Sequence, residues 1–395
     1  MPRLLMIAFD FPPTPNVGGA LRSAAFARYL PEFGWEPTVL AYGEPGERIE
    51  GGARIVRVPS RTPWSRPYEV RAFGWAARVA PSAAKLLGEV PHHAMYISCP
   101  PFPQAEPLTR IAGEAGLPCV VDFRDAWSLD PYREGSRLKR FLYRTWVPGP
   151  ERRLVRRTSR LILNTPSSLS AYQRRYPADA ERMLWLPNGF DESDFGRSFA
   201  GHVRGPKMRL LYLGRFGVGG RNAELLLGAV GELVRAGAQV ELEIVGSQPP
   251  QISRQIDRLN LDGTVRLVGP LPHAAALERL HACDVAVIYQ ERASAPVQAV
   301  AGKTFEYLRS GKPILAIGPA GDNHELVAQF PCRQELVSDH ECTSVVEAIE
   351  RLYRDWQQGA LGVVDPPAAL IGRFSRRELA RILASVLDDL ARRTA

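Results

Sequence analysis

The sequence predicts an α/β protein made of two doubly wound domains, each built on a parallel sheet. Apolar stretches of strand length alternate with helical patterns along the chain, and this alternation restarts near Met208. The 395 residues are enough for two ordinary domains, and 45% hydrophobic with 23% charged residues is typical of a soluble globular protein. Ligands of doubly wound sheets bind beyond the carboxyl ends of the strands, so we expect a cleft between the domains.

The N-terminal elements follow a strand–loop–helix order. An apolar strand, Leu4–Phe9, precedes a loop that contains Gly18 and Gly19, and the helix that follows stops at Gly34. A ligand loop is expected at this position, although a tight turn would explain the two glycines equally well. Further strands are predicted at Pro37–Tyr42 and Ala53–Val58 and in the segments AMYIS, LPCVVDF and RLILN.

The C-terminal elements repeat this order after a linker-like segment between Pro187 and Pro206. The strand RLLYLGRF runs into a glycine-rich loop, and the tail Arg376–Leu390 has the apolar spacing of an amphipathic helix. We predict an N-terminal domain over residues 1–195, a C-terminal domain over 206–375, and a final helix over 376–395 that packs back toward the N-terminal domain. The elements between are strands at Val240–Gly246, Val265–Gly269 and Asp284–Tyr289, and helices at Asn222–Ala236, Ile252–Leu259 and His273–Ala282.

The segment QAVAGKTFEYLRSGKPILAI, residues 298–317, predicts a loop, a short helix and a buried strand. Gly311 is expected to cap the helix in the left-handed conformation. Glu306 is expected to project from the first turn, near amides that have no intrahelical partner, and Lys303 adds a cation. Such a helix start can bind an anion or a sugar hydroxyl. The alternative is a packed helix with a solvated Glu and Lys.

Positive charge is concentrated between Arg133 and Arg160, where ten basic residues face two acids. Because aromatic and aliphatic residues are interleaved there, this segment could contact an anionic membrane surface; a solvated basic face is the alternative. No nucleic-acid-binding motif is present, so nucleic acid is not an expected partner.

The targeting and cysteine patterns predict a cytoplasmic protein. Because of the basic segment, a peripheral position on the inner face of the cytoplasmic membrane is an alternative. No apolar run approaches the ~20 residues of a membrane span, and the start lacks a signal-peptide pattern. The five cysteines lack metal-binding pairs, and no Asp-x-Asp cluster is present, so no metal is expected.

Five motifs in order carry a resemblance to a known family: FPPTPNVGGALR, WLPNGFDESDF, YLGRFGVGGRN, VGPLPHAAALERLHACDVAV and KTFEYLRSGKPILA. Over nearly its whole length the chain resembles the GT-B glycosyltransferases of family 4, which are retaining nucleotide-sugar enzymes with two Rossmann-like domains. The resemblance implies hexosyl transfer from a nucleoside-diphosphate sugar to a hydroxyl, in glycan, cell-envelope polysaccharide or glycolipid synthesis. It implies no metal and no further cofactor, and a lipid-linked acceptor is one option.

The resemblance assigns donor-side roles in the C-terminal domain. Arg215 and Arg221 match the two family cations that stabilise the departing diphosphate. Glu306 matches the second acid of the family's E-x7-E motif, which binds the ribose hydroxyls, whereas Gln298 replaces the first acid. Gln298 could change sugar preference or weaken catalysis. The remaining donor-side positions are Gly302, Lys303 and Thr304.

The resemblance also assigns residues of the N-terminal domain. Gly18 and Gly19 match the family's glycine loop, which lets the backbone approach the diphosphate and the acceptor. Arg124 stands where many relatives carry a His, flanked by Asp122 and Asp125. We expect Asp125 to orient or deprotonate the acceptor hydroxyl, with Asp122 and Arg124 beside it. A structural Asp–Arg pair at a strand end is the alternative.

Two other functions stay open from the sequence. The replacement at Gln298 would suit a catalytically silent partner protein, which activity of the isolated chain would exclude. Some sugar-nucleotide epimerases share the fold, and product analysis without an acceptor would reveal that activity. The nucleotide base, the sugar, the acceptor and the oligomeric state are not predicted.

Overall fold

The computed structural model describes residues 1–13, 17–62, 67–130, 141, 143, 145–196, 204–217, 222–291 and 299–394. Predictions at Arg221 and Gln298, and the part of the basic segment at 131–140, 142 and 144, lie outside them.

The strands of the N-terminal domain are β1 Arg3–Ala8, β2 Glu36–Tyr42, β3 Gly46–Glu50, β4 Ala53–Val58, β5 Ala94–Cys99, β6 Cys119–Phe123, β7 Arg160–Leu163 and β8 Met183–Trp185. Its helices are α1 Val17–Tyr29, α2 Tyr68–Glu89, α3 Ala105–Glu114, α4 Pro148–Arg157 and α5 Pro166–Arg175.

These eight strands of the described residues form one sheet in the order β3-β4-β2-β1-β5-β6-β7-β8. The pairings are parallel, as predicted, except that β3 is antiparallel to β4. Strand β3 was not predicted, because this edge strand, GERIE, carries charges on a short hairpin arm and lacks an apolar run. Its turn uses Gly51 and Gly52 with φ values of 57° and 82°.

The C-terminal domain contains a second, parallel sheet. Its strands are β9 Met208–Leu213, β10 Val240–Val245, β11 Val265–Gly269, β12 Val285–Tyr289, β13 Ile314–Ile317 and β14 Gln334–Val337. Its helices are α6 Glu224–Arg235, α7 Pro250–Arg258, α8 His273–Ala282, α9 Gly302–Ser310, α10 Asp322–Ala328, α11 Cys342–Gln357 and α12 Ala368–Gly372, followed by α13 Arg376–Thr394. Within the described residues the strand order is β11-β10-β9-β12-β13-β14, so the predicted pair of Rossmann-like α/β domains is confirmed.

Helix α13 packs on the N-terminal domain although it follows the C-terminal one. Its Leu379 and Leu383 are buried in one cluster with Phe26 and Leu30 of the α1 region. The two chain crossings meet at Phe190, whose amide donates to Phe374 O at 3.2 Å and whose carbonyl accepts from the Arg376 amide at 2.8 Å. Both connections between the domains therefore pass through one point, as a hinge requires.

Helix α9 ends as its sequence predicts. Gly311 has φ 65°, and a Cβ there would lie 2.2 Å from the carbonyl oxygen of Val364, so both conformation and space require glycine. Its start differs from the prediction in one respect: Gly302 is the first residue of the helix, so Glu306 lies in the second turn rather than the first.

Two further observations concern the predicted membrane contact. Across the described ranges, no helix is both long enough and apolar enough to cross a membrane. Part of the basic segment is neutralised within the protein, because Arg153 and Arg157 form ion pairs with Glu106 at 3.3 and 2.7 Å.

Candidate active site

A cleft of about 2350 Å³ separates the two domains at the carboxyl ends of their strands. Gly19, Arg124 and Asp125 line its N-terminal wall, and Lys303 and Glu306 line the opposite wall. The fold thus brings together side chains that are up to 287 positions apart in the chain (306 − 19). A parallel sheet places all its strand ends at one edge, and this explains why they meet.

The start of α9 forms the polar centre of the C-terminal wall. Residues 299–303 all line the cleft, and the N-cap position, Ala301, has no side chain that could cap the first amides. These amides are therefore available to a ligand anion. Lys303 lies beside them; its Nζ donates to Leu213 O at 2.5 Å and lies 3.6 Å from the centroid of the Tyr212 ring.

Glu306 is 9% exposed and lines the cleft, which rules out the solvated Glu of the alternative interpretation. Its Oε1 lies 3.6 Å from His273 Nε2, and that nitrogen lies 3.2 Å from Asp194 Oδ2. Burial raises the pKa of Glu306, an effect that His273 and Arg376 oppose. The hydrogen bond to Asp194 raises the pKa of His273, with Glu306 adding to it. A carboxylate thus sits beside a readily protonated imidazole.

The other predicted donor residues occupy different positions. Arg215 is exposed and lines the cleft at the end of β9, where a diphosphate could reach its guanidinium. Thr304 is fully buried, and its hydroxyl donates to Asn323 Oδ1 at 3.0 Å, so this side chain packs helix α9 against α10. Thr304 is better suited to holding the helix than to touching a ligand. Gly18 lies in the first turn of α1.

Gly18 and Gly19 lie in the first turn of α1, which begins at Val17, and not in the loop that the sequence predicted; Arg124 packs against this turn. A Cβ at Gly19 would lie 1.9 Å from Arg124 Nη1, so a larger residue at position 19 would displace this guanidinium from its present position. Arg124 donates to Pro100 O at 2.6 Å and its Nη2 lies 3.7 Å from Asp10 Oδ2. Its Nε is buried and has no hydrogen-bond partner. Gly19 and Arg124, both of which the resemblance assigned to the site, are thus in contact.

Asp125 projects into the cleft beside Arg124. Its side chain is exposed to the solvent of the cleft. Desolvation by the surrounding protein raises the pKa of Asp125, and the neighbouring Arg124 opposes the rise. A carboxylate at this position can accept a hydrogen bond from a hydroxyl group in the cleft.

Asp122, predicted on the acceptor side, is fully buried and is held by Arg22 and Tyr96. Arg22 Nε donates to Asp122 Oδ2 at 2.7 Å, and the Tyr96 hydroxyl donates to the same oxygen. Arg22 also donates to the carbonyls of Leu186 and Pro187, which join α1 to the segment before the hinge. Asp122 can therefore act on an acceptor only through Arg22, which does line the cleft.

Several residues of the site were not predicted as such. Arg22 lies in the GGALR motif, of which only the glycines were used, and His273 lies in the PHAAALERL motif without a role assigned. Arg376 begins a helix that was interpreted by its apolar face alone. These three residues are found at the site only in the folded structure, because the fold brings them to the cleft from distant parts of the chain. No group of three His, Cys, Asp or Glu side chains that could hold a metal occurs in the part of the chain described.

Two Rossmann-like domains with a cleft between them, lined by charges of both signs, define a GT-B glycosyltransferase architecture. Two family models match the sequence: the "Glycosyl transferase 4-like domain" over residues 17–189 and "Glycosyl transferases group 1" over residues 207–355. Together they span most of the chain, which belongs to the GT4-type GT-B glycosyltransferases and is a transferase enzyme. No curated protein is significantly similar in sequence.

Solved structures share this fold over the whole chain. Sucrose-phosphate synthase from Thermosynechococcus elongatus has a TM-score of 0.71 at 15% identity, covering 100% of this chain and 97% of that one. HepE of Anabaena, solved with UDP and glucose, has a TM-score of 0.66 at 16% identity, covering 98% and 100%. WaaG, a glycosyltransferase involved in lipopolysaccharide biosynthesis, has a TM-score of 0.63 at 15% identity, covering 99% and 98%. At such identities the likeness shows the fold alone.

Proposed function

We propose that the protein transfers a sugar from a nucleoside-diphosphate sugar to a hydroxyl acceptor with retention of configuration. The observation that carries this proposal is the arrangement at α9, where a buried carboxylate, Glu306, lies next to open helix amides and Lys303 at the cleft. A carboxylate accepts from two neighbouring ribose hydroxyls, while amides and a cation bind phosphate oxygens. The HepE structure contains UDP and glucose, which supports a donor of this class.

In the proposed reaction the bond from the sugar C1 to the phosphate oxygen breaks, and a bond from C1 to the acceptor oxygen forms on the same face. The acceptor proton passes to the departing phosphate. Arg215, Lys303 and the α9 amides stabilise the charge that develops on that phosphate. Asp125 holds the acceptor hydroxyl in place beside Arg124. Arg221 and Gln298 keep their expected roles on the diphosphate and the transferred sugar.

The donor base is found first by thermal shift with UDP, GDP, ADP and dTDP, since a ligand raises stability as its concentration exceeds its dissociation constant. With the nucleotide that binds, Glu306→Gln is then compared with wild type, using both the nucleotide and its 2′,3′-dideoxy analogue. Loss of hydrogen bonds to a charged group costs about 2 kcal/mol, so we expect about 30-fold weaker binding of the normal nucleotide.

The dideoxy analogue gives the specific readout. Wild type should bind it about as weakly as Glu306→Gln binds the normal nucleotide, and the variant should not distinguish the two ligands. Glu325→Gln, an exposed glutamate on α10 outside the cleft, is the matched control and should behave as wild type. Equal nucleotide affinity in Glu306→Gln and wild type would refute the ribose clamp. No response to any nucleotide would favour a silent partner protein.

A further inference from the structure

Helix α2 carries two apolar stripes, and only one of them is used by the fold. The inner stripe is buried in the core of the N-terminal domain and consists of Trp75, Val79, Ala83 and Leu86. The outer stripe, at spacings of three, four and three residues, lines the cleft and consists of Val70, Phe73, Ala77 and Ala80. Phe73 is 65% exposed and Val70 is 47% exposed. Large apolar side chains arranged at helical spacing on a cleft wall indicate a binding surface.

A second set of large apolar side chains belongs to the same cleft. Trp146, which is 74% exposed, lines the same cleft together with Tyr143 and Val147. We define the α2 groove as the apolar part of the cleft lined by Val70, Phe73, Phe102, Tyr143, Trp146 and Val147.

The floor of the α2 groove is built before any ligand arrives. Phe102 stacks on Trp127 with ring centroids 4.9 Å apart and planes 4° apart, and it meets Phe123 edge-on at 5.2 Å. The Tyr143 hydroxyl donates to Trp127 O at 2.7 Å, which fixes one side of the groove to its floor. A rigid apolar surface binds an apolar ligand with little ordering cost.

The α2 groove belongs to the same cavity as Arg124 and Asp125. An occupant would therefore extend from the acceptor hydroxyl at Asp125. Its aromatic and aliphatic lining suits a hydrocarbon chain and offers little to the many hydroxyls of a sugar chain. Next to it, α4 has the sequence PGPERRLVRR; Glu106 pairs with its Arg153 and Arg157, whereas its Arg152 and Arg156 are exposed to solvent. That charge complements the phosphates of an amphiphile or of the surface that holds it.

We propose that the α2 groove binds the hydrocarbon chain of an amphiphilic acceptor, so that the acceptor class is a lipid that carries a hydroxyl head group. This inference rests on the proposed function for the position of the hydroxyl, but chain binding itself requires no donor nucleotide. The acceptor head lies at Asp125, and the chain runs between Phe73 and Trp146 over Phe102.

The test measures the affinity of methyl, hexyl and octyl β-D-glucoside for the full-length protein, below their critical micelle concentrations and without nucleotide. Burying a methylene group is worth about 0.8 kcal/mol, which corresponds to about fourfold in affinity. We therefore expect affinity to rise about fourfold for each buried methylene in wild type. In the double variant Phe73→Gln, Trp146→Gln the rise should fall below about twofold per methylene.

The matched control is Phe141→Gln, because Phe141 is 64% exposed yet does not line the cleft. It should keep the wild-type dependence on chain length. The proposal is overturned if affinity depends on chain length equally in wild type and in the double variant, or if Phe141→Gln loses this dependence as much as the double variant does. It is also overturned if none of the three glucosides binds to wild type. Because the nucleotide thermal shift is recorded separately, failure of donor binding is distinguishable from failure of the α2 groove.

Discussion

The two walls of the cleft differ in their chemistry. Charged side chains line both walls. The open helix amides and Lys303 lie on the C-terminal wall, whereas the aromatic side chains that line the cleft in the described residues are all on the N-terminal wall: Phe26, Phe73, Phe102, Trp127, Tyr143 and Trp146. Apolar side chains exposed in a cleft suit an apolar ligand, whereas open helix amides suit an anionic one. The two walls therefore differ in the kind of ligand that they suit.

The two domains also differ in how their buried carboxylates, Asp122 and Glu306, are paired. Asp122 accepts hydrogen bonds from both Arg22 and Tyr96 and is closed off from the cleft. Glu306 lines the cleft, and its contact with His273 is an ion pair at 3.6 Å, longer than a hydrogen bond. A carboxylate that is fully paired supports the fold, whereas one that keeps acceptor capacity can bind a ligand.

Removing Arg22 should have the largest effect, and it should act on stability. In Arg22→Ala the buried Asp122 loses its cation, and an uncompensated buried charge costs about 3–5 kcal/mol. We expect a fall of this size in the free energy of unfolding, measured by urea denaturation. Arg28→Ala, which removes a largely exposed partner of Asp191 at 3.7 Å, should cost less than about 1 kcal/mol. Equal losses in the two variants would contradict a structural role for the Arg22–Asp122 pair.

An intermediate effect is expected where the two walls touch. Asp322 at the start of α10 accepts from the Ser167 amide at 3.1 Å and from its hydroxyl, so it connects the C-terminal domain to α5 of the N-terminal domain. Asp322→Ala should weaken this connection by about 1–3 kcal/mol. The nucleotide-free protein should then show a larger radius of gyration in small-angle X-ray scattering, while Glu325→Gln on the same helix leaves the curve unchanged. Superimposable curves for Asp322→Ala and wild type would show that the contact does not hold the walls together.

The sequence predicted the fold well because buried parallel strands are short apolar runs. The strand at 53–58 and the helix at 273–282 match the structure to the residue. The edge strand β3 was not predicted because it is exposed to solvent, so its sequence has no apolar run that would indicate a strand.

The site was predictable only where a local pattern carries the chemistry. The α9 segment, with Lys303 and Glu306, was identified from helix geometry and motif together. His273 and Arg22 could not be assigned from local sequence, because their roles depend on Asp194 and Asp122, which are 79 and 100 residues away. Thr304 shows that a position within the motif can also mislead, because its hydroxyl bonds to Asn323 in the interior and does not line the cleft.

The smallest expected effect is a pH dependence on the C-terminal wall. His273 faces Asp194 and Glu306, with Arg376 nearby, and the hydrogen bond to Asp194 raises its pKa in the folded protein. The imidazolium therefore contributes stability that is fully present below the unfolded pKa of about 6.5 and is lost as pH rises through the folded pKa. Burial also raises the pKa of Glu306, so this carboxyl shifts stability in the same direction.

His273→Gln should thus be less stable than wild type by about 1 kcal/mol at pH 6, and the difference should shrink toward zero at pH 9. Urea denaturation at the two pH values measures it, with His281→Gln on the same helix as the control. A difference that stays constant between pH 6 and pH 9 would mean that His273 acts by packing rather than by charge. A difference that disappears at pH 9 would show that the charge next to Glu306 on the C-terminal wall is one that titrates. On the N-terminal wall, by contrast, the partner of Asp122 is the permanently charged guanidinium of Arg22.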